Sequence, residues 1–487
     1  MNRRTFLKLS SLALVPLACQ TSYKKYSFPI EVLSDHHVGH LLWKSQSFTI
    51  QKEIQKKDIL IVGGGIAGLS AAHELQDKDF ILCEVSDDFG GTSSACYHNN
   101  IPFAQGAHYD LAYPSNYGKE LLSFLENLNI TEFNPQSNLW EFKETKYLID
   151  HSIESICFHN GKFQKDIFTD NKLTTDFYKV LSDYQGDMIA PTRLINKNFH
   201  QLANISFLDF LKNNRLNLND TFINQIDYHM MDDYGGTTKQ VSALAGIHYY
   251  QCRPYFTKPV QLFSPPQGNH YFIEKIHENI ENNHQLKTNH LVKKITPIND
   301  KFQVEVINIK KQLIECFEVN KIVYAGTKHA LKYVYPTDAN LFEDNEYAPW
   351  IIVNVVIKYQ KDLPIFWQNE MIVDDQKAFL GFVNSHSQFS NNNEFQILSA
   401  YYCFQSNERK KVLKTLESPK DFVHQTISYL SNYFDTDIEP LVEKVYLKGI
   451  GHAMAIPKPH FLLNDKNEQR NHENLVYAGV DLSLIHI

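Results

Sequence analysis

Gly63, Gly65 and Gly68, within Ile59-Leu60-Ile61-Val62-Gly63-Gly64-Gly65-Ile66-Ala67-Gly68, make a G-x-G-x-x-G turn. Glycines at that spacing let backbone N–H groups close on a pyrophosphate. Gly63 permits the tight turn, Gly65 puts no Cβ in the path of the anion, and Gly68 lets the next segment pack closely. Ile66 and Ala67 open that segment, where the unpaired N–H groups of a helix start face the anion. Such binding also needs a carboxylate for the ribose hydroxyls, and Glu84 stands at the expected distance of about 20 residues, closing Phe80-Ile81-Leu82-Cys83. Strand, turn, helix and acid in this order predict a dinucleotide-binding unit.

The neighbouring elements decide where these residues can act. Ile59 to Val62 is an uninterrupted apolar run, as a strand buried on both faces requires, and Leu69, Ala71, Ala72 and Leu75 have helical spacing. Beyond Glu84 come Gly90-Gly91-Thr92 and Gly106-Ala107-His108. Ser264 to Asn269 is a loop opening a helix from about Tyr271 to Ile280, and Leu286 to Ile295, with Val292 inside it, reads as a strand. Phe302 to Val306 and Phe317 to Val319 alternate as hairpin strands, and Lys321 to Thr327 returns to the nucleotide sheet. Near the end stand Gly451-His452-Ala453-Met454-Ala455-Ile456-Pro457 and Asn474-Leu475-Val476-Tyr477-Ala478-Gly479-Val480-Asp481.

Together, the acid closing the second strand, the glycine pair, the Gly-Ala-His turn, the Pro-x-Gly loop and the closing Ala-Gly-x-Asp resemble the flavin-containing amine oxidase superfamily. That superfamily also holds protoporphyrinogen oxidases and phytoene desaturases. The resemblance covers about residues 57–112, 264–330 and 445–481, and it implies FAD as the cofactor. It further implies that Gly90 and Gly91 approach the phosphates, that Gly106, Ala107 and His108 lie against the isoalloxazine, that the Val292 backbone holds the adenine, and that Gly479 and Asp481 reach the pyrophosphate and ribitol. Thr92 stands where many members place an arginine. Some members also hold a lysine near flavin N5 through a water, and no position here is identified with it.

The expected fold class is α/β: a Rossmann-like FAD-binding domain, with a parallel sheet and an antiparallel hairpin, carrying an inserted α+β substrate domain. The first would be assembled from 57–112, 264–330 and 445–481, and the second from 113–263 and 331–444. Trp350 to Lys358 and Phe379 to Val383 are expected strands under the substrate cavity, and 418–433 a long helix. Small residues at Ser242, Ala243, Ala245 and Gly246 suit a helix that approaches the flavin, or one packed tightly on a neighbour. Tyr249, Tyr250, His452 and His108 are candidate pocket liners.

On the resemblance, the implied reaction is hydride transfer from a substrate C–N or C–C bond to flavin N5, as in an amine oxidase. The alternatives are a desaturase or isomerase acting on a lipid or porphyrin-like substrate, and a non-catalytic flavoprotein. A nicotinamide dehydrogenase would not need the closing Ala-Gly-x-Asp motif.

Composition narrows the class without naming a substrate. The chain has 487 residues, 43% hydrophobic and 21% charged, with a formal charge of -8. That argues against a nucleic-acid surface, while a small-molecule substrate is what the resemblance implies. Asn2-Arg3-Arg4-Thr5-Phe6-Leu7-Lys8 before an apolar run resembles a twin-arginine signal, so residues 1–19 are expected to engage that export machinery. Cys19 ends Pro16-Leu17-Ala18-Cys19, which resembles a lipoprotein cleavage box, so membrane contact is expected only through a lipid on Cys19, or not at all after ordinary cleavage. Residues 20–56 read as an arm carrying Asp35-His36-His37-Val38-Gly39-His40, and no spacing points to a metal. The remaining six cysteines form no C-x-x-C and read as buried thiols. Residues 482–487, Leu-Ser-Leu-Ile-His-Ile, resemble a translated sequencing adapter and are too few for a stable helix, so a non-native end is expected there.

Overall fold

A computed structural model describes residues 27–34, 36–44, 46–106, 114, 117–189, 192–252, 261–281, 285–388, 394–463 and 472–482. Residues 1–19, where the sequence predicts an export signal and a lipid-bearing Cys19, together with Ala107, His108 and residues 483–487, lie outside the described residues.

The fold is mixed α/β and is built on two large sheets. In the first, the order is Leu286–Lys287, Phe80–Cys83, Thr49–Val62, Leu313–Tyr324, Lys301–Asn308, His290–Ile298, with Leu475–Tyr477 also paired to Leu313–Tyr324. Pairing is parallel from Leu286–Lys287 through Leu313–Tyr324 and at Leu475–Tyr477. It is antiparallel through Lys301–Asn308 and His290–Ile298. This is the expected parallel sheet with its hairpin. The apolar run at 59–62 explains its centre, because successive side chains take opposite faces. Leu60 and Val62 join Val304, Phe317 and Ile322 on one side, while Ile61 packs with Leu69, Ala72, Phe272 and Ile276 on the other. Helices Ile66–Glu74 and His270–Glu278 supply that second face.

The second sheet has the order Ile30–Val32, Val442–Ala455, Tyr347–Lys358, Phe395–Cys403, Phe379–Asn384, Gln368–Ile372, Ser155–His159, Lys162–Gln164. Phe395–Cys403 is buried throughout, and Tyr347–Lys358 is buried at every residue except the exposed Lys358 at its end, as strands covered on both faces must be. Arg409–Glu417 and Lys420–Tyr433 cover one face. Asn171–Ser182, Phe207–Asn213, Asp220–Tyr234 and Ala243–Gln251 cover the other.

Two segments run differently from the sequence reading. Val442–Ala455, placed on the nucleotide side from 445, pairs along the buried strand Tyr347–Lys358, and the chain rejoins the first sheet only at Leu475–Tyr477. The physical reason is that Val445, Tyr446 and Leu447 need apolar neighbours, and the second sheet supplies them. The arm also belongs to both sheets. Ile30–Val32 pairs with Val445–Leu447, and the strand ending at Val62 already begins at Thr49, against the hairpin strand Leu313–Tyr324.

Candidate functional site

Four parallel strands of the first sheet end on one rim, at Gly63, Glu84, Ala325-Gly326 and Ala478-Gly479. The glycine turn occupies its middle. Gly63 has φ +94°, in the region only glycine adopts freely, and a Cβ there would stand 3.1 Å from the Gly326 nitrogen. At Gly68 a Cβ would lie 1.8 Å from the Gly63 carbonyl oxygen, so the helix can cross its own turn only with glycine.

Gly65 differs from both. A Cβ there would meet nothing nearer than Gly90 O at 3.8 Å and Gly91 Cα at 4.0 Å, and φ is an ordinary -74°. Packing does not demand a glycine at this position. The free space lies beside a bridge between Gly65 and Gly90, where Gly90 N–H donates to Gly64 O at 2.9 Å. Ile66 and Ala67 start the helix over this space. Gly90 and Gly91 both have positive φ, followed by Thr92, whose carbonyl oxygen would be 1.8 Å from a Cβ on Gly106. The structure therefore brings Gly63 to Gly68, Gly90 to Thr92, and Gly106 into one neighbourhood.

Glu84 closes the side of that neighbourhood. It is 5% exposed, and its carboxylate accepts from Gly64 N–H at 2.6 Å and Ser86 N–H at 2.8 Å. Its carbonyl accepts from His290 N–H at 2.8 Å, which ties in the strand that carries Val292. Val292 is buried at a register shift in that strand.

On the other side of Gly63 the rim joins Gly479, Asp481 and His452, which the sequence singled out, to Lys328, His329 and Tyr347, which it did not. Lys328 donates to Asp481 Oδ1 at 2.9 Å, and the Tyr347 hydroxyl donates to Asp481 Oδ2 at 3.1 Å. Gly479, at φ +128°, makes the bend between the last strand and Asp481. Next to Lys328, the ring of His329 stacks on that of His452, with centroids 3.5 Å apart and planes 11° apart, and Tyr347 meets both rings edge-on. Burial holds His329 down at about 4, with Asp481 opposing and Arg409 and Lys332 reinforcing. Burial, then His329, Arg409 and Lys332, depress His452 further. Both rings are neutral at ordinary pH. The only local signal in the sequence was a lysine directly after the Ala-Gly-Thr bend that ends a strand.

Tyr249 and Tyr250 lie in the helical cover, in an apolar cluster that also takes in Tyr347 and Met454. The Tyr250 hydroxyl is 3.0 Å from His229 Nδ1, His229 Nε2 is 3.6 Å from Glu370 Oε1, and Tyr249 stacks on the His229 ring. Of the two openings left for this helix, Gly246 fits close packing: a Cβ would meet the Phe207 ring at 2.4 Å. Among the described residues no group of three or more His, Cys, Asp or Glu is arranged to hold a metal ion. No described helix is long and apolar enough to cross a membrane.

Residues 61–128 match the family of NAD(P)-binding Rossmann-like domains. Comparison with curated protein sequences finds no match. Among solved structures, the chain is similar to wild-type putrescine oxidase bound to putrescine, at 13% identity and TM-score 0.59, over 89% of this chain and 95% of that one. It is similar to cyclohexylamine oxidase from Brevibacterium oxydans IH-35A, at 12% identity and TM-score 0.59, over 88% and 94%. It is also similar to a CLA-producing fatty acid isomerase from P. acnes, at 15% identity and TM-score 0.62, over 90% and 96%. At these identities the likeness is one of fold, and it spans both sheets.

Proposed function

We propose that this chain is an FAD-dependent oxidoreductase of the amine-oxidase kind. The observation that carries the reading is the free space at Gly65, which the packing does not explain, next to a buried carboxylate at Glu84. A dinucleotide needs both: close backbone approach for its pyrophosphate and an acid for its ribose. Gly63 to Ala67, Gly90 and Gly91 would hold the phosphates, Glu84 the ribose, and Val292 the adenine. When bound, FAD supplies the hydride acceptor, N5, while the protein positions the substrate.

The neutral histidines support the choice of an amine. An amine can give up a hydride only when uncharged, and the burial that keeps His329 and His452 neutral would also disfavour a bound ammonium ion. His452 and Tyr347 would then wall the substrate side. A second reading, isomerisation or desaturation of a lipid, is supported by the fold shared with the fatty acid isomerase. The test is to extract the purified protein for nucleotide and then mix it anaerobically with primary amines and with unsaturated fatty acids. Bleaching of flavin absorbance by an amine is expected. Product formed from a fatty acid with no amine-driven bleaching selects the second reading, and a preparation that neither carries nor takes up FAD rejects both.

Export through the twin-arginine route, with a lipid on Cys19, belongs to the same proposal and is motivated by Arg3-Arg4 before the apolar run. Replacing both arginines by lysine keeps the charge but removes the guanidinium geometry. Normal export of that variant would rule the route out.

A further inference from the structure

Lys328 is an ammonium with no solvent contact, its side chain 0% exposed. Its three N–H donors meet three acceptors: Gly326 O at 3.1 Å, Ala478 O at 2.6 Å and Asp481 Oδ1 at 2.9 Å. The second carboxylate oxygen of Asp481 accepts from the Lys328 backbone N–H at 2.8 Å and from the Tyr347 hydroxyl at 3.1 Å. The Asp481 carbonyl accepts from Asn345 Nδ2 at 3.0 Å. One ion pair therefore joins three stretches distant in sequence: the bend after Leu313–Tyr324, the start of Tyr347–Lys358 in the second sheet, and the segment after Leu475–Tyr477.

Stability alone does not account for such a pair. Taking two charges out of water offsets most of their attraction, and an apolar pair of similar volume often holds a core as well. Hydrogen bonds add direction, because each N–H of Lys328 fixes where one carbonyl points. The position shows what that direction serves. A Cβ on Gly63 would lie 3.1 Å from Gly326 N and 3.2 Å from Ala325 O, so the glycine turn backs onto the bend that Lys328 holds. A Cβ on Gly479 would lie 3.3 Å from Lys328 Nζ, so the closing segment is equally tight against it.

We propose that Lys328 is a positioning residue for the cofactor. Through Asp481 and the carbonyls of Gly326 and Ala478, it keeps the Ala325-Gly326 bend and the 478–481 segment in register with the Gly63 to Gly68 turn, and so sets how tightly the dinucleotide is held. Asp481 acts here as the partner of Lys328, with both carboxylate oxygens already engaged by the protein. The inference rests on the reading of this rim as an FAD site.

The test titrates FAD into the full-length apoprotein and follows thermal unfolding for wild type, Lys328→Met, Asp481→Asn and the double variant. Each single variant leaves one buried charge without its partner, so Tm falls and the Kd for FAD rises at least about tenfold. The double variant removes both charges, yet the Asn amide oxygen can still accept from the backbone N–H of residue 328 and from Tyr347. Its Tm is expected to return toward wild type while its Kd stays raised at least about tenfold, because the ties to Gly326 O and Ala478 O are gone. A double variant with both Tm and Kd at wild-type values would show charge balance only and overturn the proposal, as would Lys328→Met binding FAD like wild type. If the single variants do not fold, the double variant carries the comparison. The wild-type arm tests the FAD reading separately, since it fails alone if no FAD is taken up.

Discussion

Gly68 and Gly246 both sit in helices with no room for a methyl group, and they differ in what fills the room. At Gly68 the obstacle is the carbonyl oxygen of Gly63, 1.8 Å from an added Cβ; at Gly246 it is the ring of Phe207, at 2.4 Å. The first contact lies inside one strand-turn-helix unit and is fixed by its backbone. The second joins two helices of the cover and depends on how the chain has folded around them. A carbonyl in a turn cannot move aside without losing the turn, whereas a ring can rotate or be replaced.

Mutation should separate the two kinds of contact. Gly68→Ala is expected to have the largest effect, a loss of about 3 kcal/mol or more, at the upper end of overpacking costs because backbone must shift. Thermal unfolding would show it, with loss of bound FAD, and no second-site change of a side chain should restore either. Gly246→Ala should cost about 1 to 3 kcal/mol, and Phe207→Leu in the same chain should recover part of that by giving the methyl group space. If the pair of changes were no better than Gly246→Ala alone, the distinction between a backbone and a side-chain obstacle would fail.

Gly65→Ala sharpens the comparison within the turn itself. Its Cβ meets no protein atom closer than 3.8 Å and its φ is ordinary, so Tm should stay at the wild-type value. The Kd for FAD should rise about tenfold, equivalent to about 1.4 kcal/mol, because the methyl group would stand where the pyrophosphate comes close. An equal loss of stability and affinity would mean that Gly65 is needed for packing, as Gly68 is.

The same contrast explains what was legible in the sequence. The strand at 59–62, the turn, the helix from Ile66 and the acid at Glu84 are local, with spacing fixed by backbone geometry, and the structure has them in that order. The hairpin and the helix His270–Glu278 also follow from periodicity. The run Val442–Ala455 was harder to place, because an apolar strand carries no mark of which sheet it will join. Lys328, Tyr347 and Asp481 were unreadable as a set for a related reason: the bonds between them span more than a hundred positions, and a lysine in sequence looks like surface until its three acceptors are seen around it.

The smallest effect expected is in pH dependence, and it again divides the rim. The methyl group added in Gly65→Ala carries no charge, so the affinity loss it causes relative to wild type at the same pH should be equal at pH 6 and pH 8. The side around His452 should respond to acid. An imidazole in the unfolded chain titrates near about 6.5, whereas burial holds His329 at about 4 and His452 lower still. Between those limits the unfolded chain binds more protons, so the stability these rings contribute is full above about pH 6.5 and declines as the pH falls toward 4. Each ring can add at most about 1.4 kcal/mol per pH unit to that slope. Replacing His452 by Gln removes one titrating ring and the repulsion it exerts on a protonated His329. The variant should therefore lose Tm less steeply than wild type from pH 6.5 downward, with parallel curves above it. Equal slopes across the whole range would mean that the stacked pair takes up its protons without unfolding, and that the wall beside Asp481 is not the dry, uncharged surface on which the amine reading depends.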